Sequence, residues 1–322
     1  MEQNNHYALT TEHRFSLFAL ALLWVFFRHT YFYSQFSYGI IINPLVHIGD
    51  CGVDIFMFLS GFGLYYSFTK SPNILLFYKK RIIRIIPTVI TLFILFGITS
   101  DLLSGNTISS VFKLSYWINS IYIEYWFIGA ILLFYLLFPL IYYLILPLRS
   151  YASILISISI GILGICVVQY LNVPSLNQLE VYFARVPIFI IGAIFAKNNN
   201  LFCYKRYIIA LLIISIPLLF ILPKSFQRLL YTPISITFIT FVPFILNKTP
   251  LFFNRLLNKV GKASLEFYLI HVFVFSLGVL LLLKTAVNQF FAVLLSLFMV
   301  TCASIAYNYF MNKLTAIFRN DN

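Results

Sequence analysis

Charge is what this sequence has least of. Only 10% of its 322 residues are Asp, Glu, Lys or Arg, against about 25% in an ordinary globular domain. A water-facing surface cannot be covered from so small a stock, so a soluble domain is excluded. Carboxylates are the scarcer sign: 9 Asp and Glu stand against 22 Lys and Arg, for a net charge of +13. The cations recur in short stretches between apolar runs and form no basic stripe with interleaved aromatics, which argues against a nucleic-acid partner. Cysteine is also rare. Cys51, Cys166, Cys203 and Cys302 fall in separate segments without CxxC spacing, so neither a disulfide framework nor a metal site is expected. The opening MEQNNHYALTTEH lacks the basic n-region of a signal peptide, and the first apolar run is expected to be retained. With no Pro/Gly/Ser-rich linker and no internal repeat, the chain reads as one domain, 1–322, in which 1–13 is a short cytoplasmic N-terminal segment.

What is present is apolar: 61% of residues are hydrophobic and the mean hydropathy is +0.93. Ten apolar runs lie near 14–33, 49–68, 84–103, 125–146, 150–171, 181–197, 207–223, 229–246, 263–283 and 288–312. Most approach the roughly 20 residues that a helix needs to cross a bilayer. The pattern predicts an all-α integral membrane protein of about ten transmembrane helices. The run at 181–197 is short and is expected to be tilted or partly re-entrant. If both termini are cytoplasmic, sixteen of the 22 Lys and Arg fall inside and six (Arg28, Lys113, Arg185, Lys224, Arg228 and Lys284) outside, as the positive-inside rule requires.

Ionisable groups at membrane depth are costly and mark candidate sites. The first run, Arg14 to His29, reads RFSLFALALLWVFFRH. As a helix it rises about 22 Å, and its two ends lie within about 60° of one another around the axis. Asp54, about five residues into the second run, lies at a depth similar to that of His29 and is expected to orient the imidazole. The glycines at 52, 61 and 63 are expected to permit close helix approach. FYKKRIIRIIP, residues 77–87, reads as a loop entering the third run. Arg81 and Arg84 share a face there, and two arginines can clamp a phosphate bidentately. Glu124 and Trp126 open the fourth run and Arg185 the sixth. Glu124 and Arg185 are expected to pair if those runs converge. In the ninth, Lys262 and Glu266 are spaced to neutralise each other, and His271 shares a face with Tyr268.

Taken together, LLWVFFRH, GVDIFMFLSGFGLYYS (52–67), FYKKRIIRIIP, EYWFIGAILLFYLLFPLI (124–141), RVPIFIIG (185–192) and GKASLEFYLIH (261–271) resemble the acyltransferase 3 family of bacterial integral-membrane acyltransferases. The pieces occur in the family's order across most of the chain. The resemblance implies transfer of an acyl group, usually acetyl, from cytoplasmic acyl-CoA to a hydroxyl of a cell-envelope glycan or its lipid-linked precursor, at the bacterial cytoplasmic membrane. Acetyl-CoA would be the donor substrate, with no permanently bound cofactor. The resemblance points to His29 as the essential histidine and to Arg81 and Arg84 as an RxxR pair. Arg14 stands about one turn lower than the arginine of the family's first-helix pattern. In this reading His29, Asp54 and Arg185 are the catalytic candidates. Arg14, Arg81 and Arg84 would hold the donor, and Glu124, Trp126 and His271 the acceptor. The competing class is a transporter of a glycan or lipid-linked sugar.

Overall fold

The structure, a computed structural model, describes residues 2–34, 36–40, 42–198, 205–278 and 288–317. Cys203, Lys284, Arg319 and the last part of the ninth expected run lie outside them. The described residues form helices and turns, with no strand. The longer helices are α1 (Glu2–Glu12), α2 (Arg14–Ser34), a short α3 (Asn43–His47), α4 (Cys51–Lys70), α5 (Ile74–Leu103), α6 (Leu114–Asn119), α7 (Trp126–Leu140), α8 (Ser150–Leu171), α9 (Asn177–Asn198), α10 (Lys205–Ile221), α11 (Lys224–Asn247), α12 (Leu251–Lys262), α13 (Ser264–Ser276) and α14 (Gln289–Ile317). Among the described residues, eight segments are long and apolar enough to cross a membrane. Two shorter apolar helices, Ile208–Ile221 and Ser264–Ser276, stand where the seventh and ninth runs were expected. The chain is a multi-pass helical membrane protein.

Two helices form its centre. In α4 and in the segment containing α9, 78% of the apolar window is buried, against 28–50% in the other six. Their sequences explain why they go inside: each carries small residues where the other's backbone passes. A Cβ on Gly61 would strike the Phe189 carbonyl, and a Cβ on Gly192 would strike the Phe58 carbonyl. The pairing is reciprocal and lets two backbones touch where lipid supplies no hydrophobic drive for association. Gly52 does the same against the Ala21 carbonyl of α2. Around this pair stand α2, α8 and α11, with α12 and α13 closing over α2.

Four expectations change here. FYKKRIIRIIP is helix rather than loop: α5 starts at Ile74, where the Asn73 side chain caps it by accepting from the Leu76 N–H at 2.9 Å. Pro87 sits inside that helix. The sixth run is not short. Its helix, α9, has 22 residues, and polar Asn177, Gln178 and Glu180 in its first turn had hidden its start. Lys262 and Glu266 are not one turn apart on one helix, because a turn at Ala263 separates α12 from α13. The N-terminal segment is helical, and its Tyr7 ring packs on Phe62, Tyr66 and Phe195.

Candidate functional site

Three polar clusters lie among the apolar helices. The first is at the end of the bundle where α2 begins. Arg14 lays its guanidinium against Gly63, where a side chain would exclude it, and Nη2 donates to the Leu59 carbonyl at 3.3 Å. Arg81 stacks over Phe77 and Tyr135, 5.6 and 5.7 Å from their centroids. Arg84, one turn on, donates to Glu266 Oε1 at 3.1 Å and to the Lys262 carbonyl at 3.2 Å. Glu266 is fully buried, so its charge needs this partner. Arg81, Arg84 and Lys262 open onto a cleft of about 180 Å³ whose inner wall is Phe18, Phe56 and Phe127. The cleft thus combines cations with aromatic rings, a surface suited to a phosphate with an apolar arm. Arg84 is paired with Glu266, whereas none of the ion pairs among the described residues uses Arg81.

The second cluster is at the other end of α2. His29 Nδ1 lies 3.0 Å from His271 Nε2 of α13, and His271 Nδ1 lies 2.9 Å from the Phe267 carbonyl. The partners decide the protons. A carbonyl only accepts, so His271 Nδ1 carries the hydrogen, and its Nε2 is left with the lone pair. His29 Nδ1–H therefore donates to it, and His29 Nε2 keeps a lone pair of its own. Tyr33 stands edge-on to the His29 ring at 5.8 Å. Above it, Arg28 reaches Asp50 at 3.7 Å and Trp24 donates to the Leu45 carbonyl at 2.7 Å, which ties the end of α2 to α3 and the start of α4.

Ring contacts join the two clusters. Phe127 of the cleft wall meets Tyr268 at 5.1 Å, and Tyr268 meets His271 at 5.5 Å. The shared face of Tyr268 and His271 seen in the sequence thus looks from the cation cleft to the histidine pair.

The third cluster is a buried ion pair. Asp54 Oδ1 and Arg185 Nε are 2.7 Å apart, with the side chains 0% and 1% exposed. The pair bridges α4 and α9 near their close crossing. Arg185 also lies over the Trp126 ring, 5.9 Å from its centroid. This placement corrects two expectations. Asp54 orients Arg185, and His29 is oriented by His271. Glu124 is in none of the ion pairs among the described residues, and Arg185 meets Asp54 through Nε. Glu124 ends a short π-helical segment, Ser120–Glu124, just before α7, and partial burial pushes its carboxyl above the ordinary value.

The site residues named from the sequence therefore fall into four places: Arg81 and Arg84 at the cleft with Arg14 near Arg81, His29 and His271 together, Asp54, Arg185 and Trp126 together, and Glu124 before α7. Sequence reasoning had not found Glu266 as the partner of Arg84 or His271 as the partner of His29. The signal for both was a buried ionisable residue in an apolar helix. Among the described residues, no group of His, Cys, Asp and Glu is placed to hold a metal ion.

A family model described as an acyltransferase domain, that of the acyltransferase 3 family, matches residues 19–309, which include all of these residues but Arg14. No curated protein and no solved structure matches the chain.

Proposed function

The chain belongs to the acyltransferase 3 family, and from that membership we propose that it is an O-acetyltransferase. It would move acetyl from acetyl-CoA to a hydroxyl of a cell-envelope polysaccharide or lipid-linked glycan. In this reading it sits in the bacterial cytoplasmic membrane. The two short apolar helices also cross, which gives ten crossings with both termini in the cytoplasm. The observation that carries the proposal is the histidine pair: a hydrogen-bonded imidazole whose Nε2 is free to take a proton.

The donor's phosphates bind at the cleft, on Arg81 with Arg14 and Lys262 near it, and its pantetheine arm extends past Phe127 and Tyr268 toward His29. His29 Nε2 takes the proton of the acceptor hydroxyl as that oxygen attacks the thioester carbonyl. The carbon–sulfur bond breaks as the tetrahedral intermediate collapses, and the sulfur leaves as the thiol, carrying the proton back from His29 Nε2. His271 holds the tautomer throughout. Asp54 and Arg185 keep α4 on α9 and so hold the wall on which α2 rests. Glu124 and Trp126, beside Tyr33 and Arg185, are the residues we place nearest the acceptor.

The test is the O-acetyl content of envelope glycans in a deletion strain complemented with wild type or with His29→Ala. Acetylation restored by the wild type alone supports the reading. Unchanged acetylation with less glycan at the surface would replace it with transport.

A further inference from the structure

One helix contributes only its last residue, Lys262, to the acyl-transfer reading above. α12 has 12 residues, about 18 Å of helix, and is neither one of the long apolar segments nor one of the two shorter apolar helices. It carries Arg255, Lys259 and Lys262 and no carboxylate. Around its axis, at about 100° per residue, its polar residues occupy one side and its apolar residues the other.

Each side is divided again. On the polar side the amides face the protein: Asn258 accepts from Ser16 and Asn254 donates to the Leu246 carbonyl. The cations Arg255 and Lys259 face outward and are exposed. On the apolar side Leu257, Val260 and Gly261 are buried, and Gly261 lies where a Cβ would strike the backbone of Phe15. Phe252 and Leu256, which border the cations, are 78% and 45% exposed. The free edge of the helix is therefore a cationic strip alongside an apolar strip. A groove of about 510 Å³ runs along it, lined by Phe252, Arg255, Leu256, Asn258, Lys259 and Lys262. Water alone would not favour the bare phenylalanine, and hydrocarbon alone would not favour the cations. The boundary of a bilayer suits both.

We propose that α12 lies in the membrane interface and binds an anionic phospholipid, its phosphate between Arg255 and Lys259 and an acyl chain along Phe252 and Leu256. Charge complementarity selects the lipid: the strip is all cationic and none of the ion pairs among the described residues uses Arg255 or Lys259. Lys262 borders both this groove and the cation cleft, so the lipid sits beside the cleft. The inference does not depend on acyl transfer.

The full chain is reconstituted in vesicles of equal phosphatidylcholine and phosphatidylglycerol, and the immobilised fraction of each spin-labelled lipid is measured. With about 1 kcal/mol per cation near an anionic surface, the wild type should prefer the glycerol lipid by about tenfold or more. Arg255→Gln with Lys259→Gln should remove that preference, while Lys79→Gln with Lys80→Gln should retain it. Phe252→Ser with Leu256→Ser should lower immobilisation of both lipids. All six side chains are exposed, and a single size-exclusion peak verifies that each variant is folded. A preference that survives loss of Arg255 and Lys259, or that falls equally without Lys79 and Lys80, overturns the proposal. So does displacement of the glycerol lipid by coenzyme A, which would give the groove to the donor.

Discussion

Asp54 and Arg185 meet at 2.7 Å inside the protein, from two helices whose glycines bring their backbones into contact. A charge sealed at that depth cannot be left alone. Removing one partner of a buried pair costs about 3–5 kcal/mol, whereas replacing both with apolar groups of similar volume can be neutral. Asp54→Leu and Arg185→Met should therefore each reduce the yield of folded protein sharply. The double variant should recover much of it, as read by thermal unfolding in detergent. If the double variant is as unstable as the worse single one, the pair does not act as a clamp between α4 and α9.

His271 can be separated from His29 by its substitutions. His29→Ala removes the proton acceptor and should lower kcat by about 10²–10⁴-fold or more, with the KM for acetyl-CoA unchanged. His271→Ala leaves the base in place but frees its tautomer, so it too should lower kcat and spare KM. His271→Gln restores an acceptor toward His29 Nδ1 and should recover part of the rate. Equal activity of the Ala and Gln variants would remove the tautomer from the argument.

Much of this was legible in the sequence because lipid imposes a simple code. Runs of about 20 apolar residues had to be helices, and their positions followed from hydropathy alone. α5 was read too short because its first turns carry Lys79, Lys80, Arg81 and Arg84, which resemble a loop in composition. α12 was not read as a helix because it is amphipathic and short. Ion-pair partners were not legible. Whether Asp54 faces His29 or Arg185, and whether Glu266 faces Lys262 or Arg84, depends on the rotation of whole helices about their axes. Spacing within one helix carries no information about that. His29 and His271 are 242 residues apart, and only the packing of α13 on α2 unites them.

Arg81 and Arg84 are three residues apart and should behave differently. Arg81 stacks on rings at the cleft, so Arg81→Gln should raise the KM for acetyl-CoA by about tenfold, the loss of one charge-assisted bond of roughly 1.5 kcal/mol or more, with little change in folded protein. Arg84 neutralises a buried carboxylate. Arg84→Gln should destabilise the fold, and adding Glu266→Gln should restore stability. Destabilisation by Arg81→Gln as large as that by Arg84→Gln would mean that both arginines are structural.

Glu124 provides a test whose sign is set by its surroundings. Partial burial raises its carboxyl above the ordinary value, so the folded protein holds that proton more tightly than the unfolded chain does. The resulting stability is fully present below the unfolded value of about 4.3 and is lost as pH rises through the folded one. Glu124→Gln keeps a neutral side chain at every pH. The variant and wild type should therefore unfold alike near pH 4, and the variant should become the more stable of the two as pH rises toward 8. A carboxylate paired with a cation would give the opposite trend, with wild type gaining on the variant as pH rises. That outcome would bring back the expected pairing of Glu124 with Arg185 and contradict the position of Asp54. Unfolding curves of the two proteins across this range decide between the arrangements without any assay of acyl transfer.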